Sequence, residues 1–148
     1  KESSAASDVY KRQPGEFLII HDWKRPWRVT GNSSVYRFKL GEFSGILPYF
    51  RENFDEIREK FRNEQEYLSW FVHKEGKLSY WDKDWCKSYK YHCLQKIPLA
   101  YFKPPVKPKD AKIIIFHGEI NPPDAVNGGG GKWYRYVLPS DWIKESWQ

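Results

Sequence analysis

The stretch IIIFHGEINPP, Ile113–Pro123, ends four apolar residues on His117-Gly118 and follows them with a polar, proline-capped turn. An imidazole at a strand's carboxyl end has two uses. It is an edge group satisfied by a neighbouring carbonyl, or it is a metal or phosphate ligand, since open α/β sheets present ligands at that end. Two further segments put polar groups at element ends. Asn32-Ser33-Ser34 places small hydrogen-bonding side chains where a loop enters a strand, as turn chemistry or as a pocket wall. Glu64 and Gln65 fall in the first turn of a helix, where an acid also complements the helix dipole. Together these segments have the arrangement of an α/β site.

Other motifs carry less. VNGGGGK invites a phosphate-loop reading, but Lys132 is followed by Trp133 rather than Ser or Thr, and no strand leads in. It reads as a flexible glycine loop. Cys86 and Cys93 lack a zinc spacing and read as packing, with a weak pointer to a reducing compartment.

The elements that must position these groups follow from periodicity. EFLIIH (Glu16–His21) reads as a short buried strand, and SVYRFKL (Ser34–Leu40) as a half-buried one with Tyr36, Phe38 and Leu40 on one face. Phe50, Phe54, Ile57 and Phe61 make one stripe of an amphipathic helix with Ser44 as its cap. Asn63 with Glu66 predicts a capping-box start to a second helix, whose apolar side is Tyr67, Leu68, Phe71 and Val72. KLSYW (Lys77–Trp81) and WCKSYKYH (Trp85–His92) are strand candidates around the turn Asp82-Lys83-Asp84. PLAYFKPPVKPKD reads as a surface connection, AKIIIFH as a buried strand, and Pro139–Trp147 as a short helix with Ser140 as cap. The class is α/β.

Composition bounds the partners. Charged residues make up 30% of the 148, and no apolar run approaches the roughly 20 residues that span a bilayer, which predicts a soluble chain. A net charge of +6 suits phosphorylated ligands, anionic membrane surfaces or nucleic acid. Aromatics at 18%, with eight tryptophans, suit stacking on sugar faces or bases, although most should be core. The run SSAASDVYKRQ resembles translated sequencing-adapter read-through. Residues 1–13 are therefore expected to be a non-native tail and 14–148 a partial domain.

NSSV, an amphipathic helix, an acid-Gln pair opening a helix, SYKYHC, FHG-x-x-x-P and a closing W-I-x-x-x-W, in that order, resemble bacterial nucleotide-sugar-dependent glycosyltransferases with the GT-A fold. The resemblance runs from about Glu16 to Trp147 and matches the C-terminal, acceptor-side part of that fold, a mixed sheet with flanking helices. The N-terminal nucleotide-binding half is then missing. The resemblance implies transfer of a hexose from a nucleotide-diphospho-sugar to a saccharide or lipid-linked acceptor, in surface polysaccharide synthesis. It places the protein in the cytoplasm, extending to peripheral contact with the inner face of the membrane.

By the same resemblance, His117 completes the shell of a divalent metal, Mn²⁺ or Mg²⁺, whose carboxylates come from an upstream Asp-x-Asp. Asp82-Lys83-Asp84 lies after the helices and does not match that motif. Glu64 serves the acceptor side, Gln65 lies beneath the reacting sugar, and Asn32 and Ser33 line the sugar pocket. Glu64 stands where the family has aspartate. Gly118 and Asn121 lie on the donor-binding turn, and Asn121-Pro122-Pro123 replaces a Lys-Pro-Trp whose lysine meets the diphosphate. The leaving group is a diphosphate, so the chemistry asks chiefly for neutralisation of charge on phosphate oxygens. A glycine beside the histidine lets backbone approach those oxygens without a Cβ.

An alternative needs no catalysis. Lys87, Tyr89, Lys90 and Tyr91 have the residue types of a basic, aromatic binding module for glycan or single-stranded nucleic acid. Under the enzyme reading nucleic acid is not an expected partner, and this chain alone is expected to be inactive.

Overall fold

FLIIH is apolar without alternation because β1 (Phe17–His21) is the middle strand of a sheet and is buried on both faces. In the computed structural model, which describes residues 13–129 and 132–146, β2 (Gly31–Phe38) pairs with it antiparallel and β3 (Leu78–Tyr80) pairs parallel. Phe17 and Ile19 pack on Val72, with Phe43, Leu68, Leu78 and Tyr80 around them. The chain divides after Lys83 into two compact units, and this mixed sheet belongs to the first.

β2 starts at Gly31, so GNSS is strand rather than the loop before it. Its register breaks in the middle. Ile19 faces Tyr36 and Ile20 faces Asn32, which leaves Ser33, Ser34 and Val35 looped out of the ladder. Tyr36 and Phe38 do share a face, stacked at 6.0 Å. Leu40, expected on that face, lies beyond the strand and is exposed.

The aromatic stripe forms two helices instead of one, α1 (Ile46–Glu52) and α2 (Phe54–Lys60). Asn53 separates them. Its side-chain amide donates to Tyr49 O at 2.9 Å, the carbonyl that its own backbone N–H also uses. The cap position of α1 is Gly45 rather than Ser44, with no side-chain cap bond. In α3 (Glu64–Lys74), Asn63 Oδ1 accepts the Glu66 N–H at 3.0 Å as the sequence predicts. Glu66 does not close the box on Asn63. It reaches one residue further, accepting the Arg62 N–H at 3.1 Å and pairing with the Arg62 guanidinium.

In the second unit, β4 (Cys86–Ser88) and β5 (Ile113–Ile115) form a two-stranded parallel sheet. WCKSYKYH is therefore not one strand. After Ser88 the chain turns into a π-helical turn, Tyr89–Cys93, capped by the Ser88 hydroxyl, which accepts the Tyr91 N–H at 3.3 Å. AKIIIFH is not a buried central strand either: with only one neighbour, it buries Ile115 alone.

The core of this unit is Tyr89, Cys93, Ile120, Ala125, Val137 and Ile143. It is covered by α4 (Pro122–Asn127) and α5 (Asp141–Ser146), and the Trp142 indole donates to Pro105 O at 3.0 Å, pinning the proline-rich connection. Ser140 precedes α5, but its buried hydroxyl makes no well-formed hydrogen bond, so it is not a side-chain cap. Residues 1–12 of the expected tail, Gly130-Gly131 of the glycine run and Trp147 of the closing motif lie outside the described residues. Gln13 does bond, donating to Tyr80 O at 2.6 Å. The fold is mixed α/β, and no helix among the described residues is long and apolar enough to cross a membrane.

Candidate functional site

The sequence candidates fall into two groups, one in each unit. In the first unit, α3 starts beside the break in β2. Gln65 Oε1 accepts the Ser33 N–H at 3.2 Å, and the Ser33 hydroxyl points at Glu64 Oε1 from 3.5 Å. Segments 31 residues apart are thus brought together. The looped-out residues explain part of this arrangement. A bulge strips backbone groups of their ladder partners, and each must find another. Ser33 N–H finds Gln65, Ser34 N–H finds Asn32 Oδ1 at 2.9 Å, and Val35 O accepts the Trp81 indole at 3.3 Å. Asn32, Ser33 and Gln65 therefore hold the bulge. Gln65 keeps its amide NH₂ and Glu64 keeps an exposed carboxylate, with only a long contact to Ser33.

In the second unit, His117 lies just past β5, as the sequence implies. Its Nε2 is 2.7 Å from the Ser88 hydroxyl. The imidazole at the strand end is thus bonded to the end of the neighbouring strand. Gly118 has φ +89°, a conformation side chains rarely adopt, and a Cβ there would sit 3.5 Å from Lys90 Nζ. Lys90, His117, Glu119, Ile120, Lys132 and Arg135 line one narrow cleft, with room for about one water-sized group. Lys132 reaches Glu119 at 3.4 Å. The Tyr134 hydroxyl and then Glu119 hold its ammonium pKa above the usual lysine range.

Asn121 is the cap residue of α4, with its backbone N–H donated to Asp124 Oδ2 at 2.9 Å. It belongs to the helix start, and the cations of the cleft come from elsewhere. They are Lys90, Lys132 and Arg135. Arg135 escapes the sequence reading and Lys132 enters it only through the rejected phosphate loop, although KWYRY, directly after the glycines, mixes cations with rings densely enough to mark both.

A divalent metal does not fit the residues present. Among the described residues no group of three or more His, Cys, Asp or Glu could hold one. The one carboxylate in the cleft, Glu119, is paired with Lys132, and His117 Nε2 is engaged by Ser88. Cations line the cleft instead, which suits an anion held without metal.

The binding-module set divides: Lys90 stands 5.7 Å from the half-exposed Tyr91 ring, and the other two members are engaged elsewhere. Tyr89 is 1% exposed, and burial pushes its phenol up to about 12 against the opposing Ser140 hydroxyl. Lys87 pairs with Asp84 at 2.9 Å. No family model, curated protein or solved structure matches this chain.

Proposed function

We propose that this chain is the acceptor-side part of a nucleotide-sugar-dependent glycosyltransferase of the GT-A fold, moving a hexose to a saccharide or lipid-linked acceptor in the cytoplasm. One observation carries the reading. Glu64, which the resemblance assigns to the acceptor side, and Gln65 and Ser33, which it assigns to the sugar, meet at one place despite their distance in sequence.

In this reading Glu64 receives the acceptor hydroxyl, because its carboxylate is exposed and lightly engaged. Gln65 offers its amide NH₂ to the sugar while its oxygen stays on Ser33. Within the second unit, Lys90, Arg135 and Lys132 are the cations suited to phosphate oxygens at the mouth of the cleft, with the backbone at Gly118 close by. Cations already in place around a narrow cleft stabilise developing oxyanions without reorganising. A divalent ion would need carboxylates from residues beyond those described, and no step is assigned to it.

The test compares this chain with its complete parent protein on a panel of nucleotide-sugars. The expected result is transfer by the parent, lost on Glu64→Ala with the fold intact, and nucleoside diphosphate binding without turnover by this chain. A parent that transfers no sugar, or turnover by the chain alone, refutes the reading.

A further inference from the structure

The second unit leaves rings in water that its core does not need. Trp133 is 76% exposed, and it meets Tyr134 edge-on at 5.6 Å. The Tyr101 hydroxyl donates to Trp133 O at 3.0 Å, and its ring lies 5.1 Å from that of Tyr136. Four exposed rings therefore form one surface, joined across more than thirty residues of chain by that bond. Exposed apolar residues are ordinary singly, but a connected patch is informative. Lys132 and Arg135 stand 5.9 and 5.5 Å from the Tyr134 ring, and both also line the cleft.

We propose that Tyr101, Trp133, Tyr134 and Tyr136, with Lys132 and Arg135, form a docking surface for an acidic saccharide chain. This rests on the saccharide-acceptor reading and names its class: a polymer bearing carboxylates such as uronate. Sugar rings have an apolar C–H face that stacks on exposed aromatic rings. The cations gather at one end of the rings, where they meet a charged group carried by the sugar.

Single-stranded nucleic acid fits less well. Its binders track phosphate after phosphate along a basic groove, whereas the cations here are few and clustered. Glu119, held against Lys132, also puts a carboxylate at the edge of the surface. It can accept the hydroxyls that a saccharide offers at every residue, whereas a DNA backbone has no such donors.

The test titrates the purified chain with oligogalacturonate, a neutral maltooligosaccharide and oligothymidylate, followed by tryptophan emission and calorimetry. Oligogalacturonate should bind best and weaken with salt. Trp133→Ala should weaken it about tenfold, consistent with one lost stacking ring, and leave the melting temperature unchanged because the indole is exposed. Arg135→Gln should weaken it and flatten the salt dependence.

Tighter binding of oligothymidylate, equal binding of the neutral sugar, indifference to Trp133→Ala, or a dimer that buries these rings would each overturn the proposal. The two readings fail separately. Acidic-glycan binding here, with no transfer by the parent protein, supports this surface and removes the enzyme. Transfer by the parent with no glycan binding here removes the surface alone.

Discussion

Gly31 is where the first unit is least tolerant of change. It is buried, and its N–H donates to the buried Ser69 hydroxyl of α3 at 2.8 Å. A Cβ built on it would lie 2.6 Å from Ile19 Cγ2, a side chain buried on the central strand. The missing side chain thus leaves room for Ile19 of β1, while the Gly31 N–H ties β2 to α3 one turn after Gln65, which reaches Ser33. Gly31→Ala should destabilise by about 2 kcal/mol, within the usual range for overpacking a filled core. Its harm should extend to Gln65, whose hold on the bulge depends on the same contact. Urea unfolding measures the first, and amide exchange at Ser33, faster in the variant, measures the second. An unchanged midpoint would mean that Ile19 gives way to the added methyl without cost.

At the scale of elements, ion pairs tie the ends of the first sheet. Lys77, just before β3, bonds Glu42 at 2.8 Å and approaches Glu16, just before β1, at 3.6 Å, while Lys39 bonds Glu42 at 3.0 Å. Lys77 first, and then Lys39, hold the Glu42 carboxyl down at about 2 from its usual 4.5. The sign follows from a depressed folded pKa. The stabilisation is fully present above 4.5 and drains away as pH falls toward about 2. Lys39 is exposed and Glu42 and Lys77 still meet solvent, so the effect is small and salt-sensitive. Glu42→Gln should flatten the acid side of the stability profile over that window, and high salt should do the same to the parent sequence. An acid limb as steep in the variant as in the parent would assign the loss to other carboxylates.

The elements also show what sequence could and could not reveal. β1 and α3 were legible because burial on both strand faces and an Asn cap with a clean apolar stripe are local signals. The break at Asn53 was not, since Phe50, Phe54, Ile57 and Phe61 keep helical spacing while one side-chain amide competes for Tyr49 O. The bulge in β2 was invisible for another reason. It depends on partners from α3 and on Trp81, far along the chain. At the site, polar residues at element ends were readable, but their structural duties were not. Two of the cleft's cations, Lys132 and Arg135, come from the segment after the glycines, whose position periodicity does not encode.

At the scale of the whole chain, the excess of positive charge, +6, has a focus among the described residues in the cleft of Lys90, Lys132 and Arg135. A ligand that binds only the folded state raises its stability, by about 2.7 kcal/mol at a hundredfold excess over Kd. Pyrophosphate in the absence of metal should therefore raise the melting temperature, and Lys90→Gln with Arg135→Gln should abolish the rise. Mn²⁺ alone should leave the melt unchanged, because Glu119 is occupied by Lys132 and His117 by Ser88. His117→Ala separates the two uses of the imidazole. Losing the bond to Ser88 should cost about 1 kcal/mol, typical of one hydrogen bond, while most of the pyrophosphate response survives on the cations. If Mn²⁺ raises the melt by several degrees and His117→Ala erases that rise without lowering the metal-free melt, the imidazole is a ligand and the cleft is a metal shell after all.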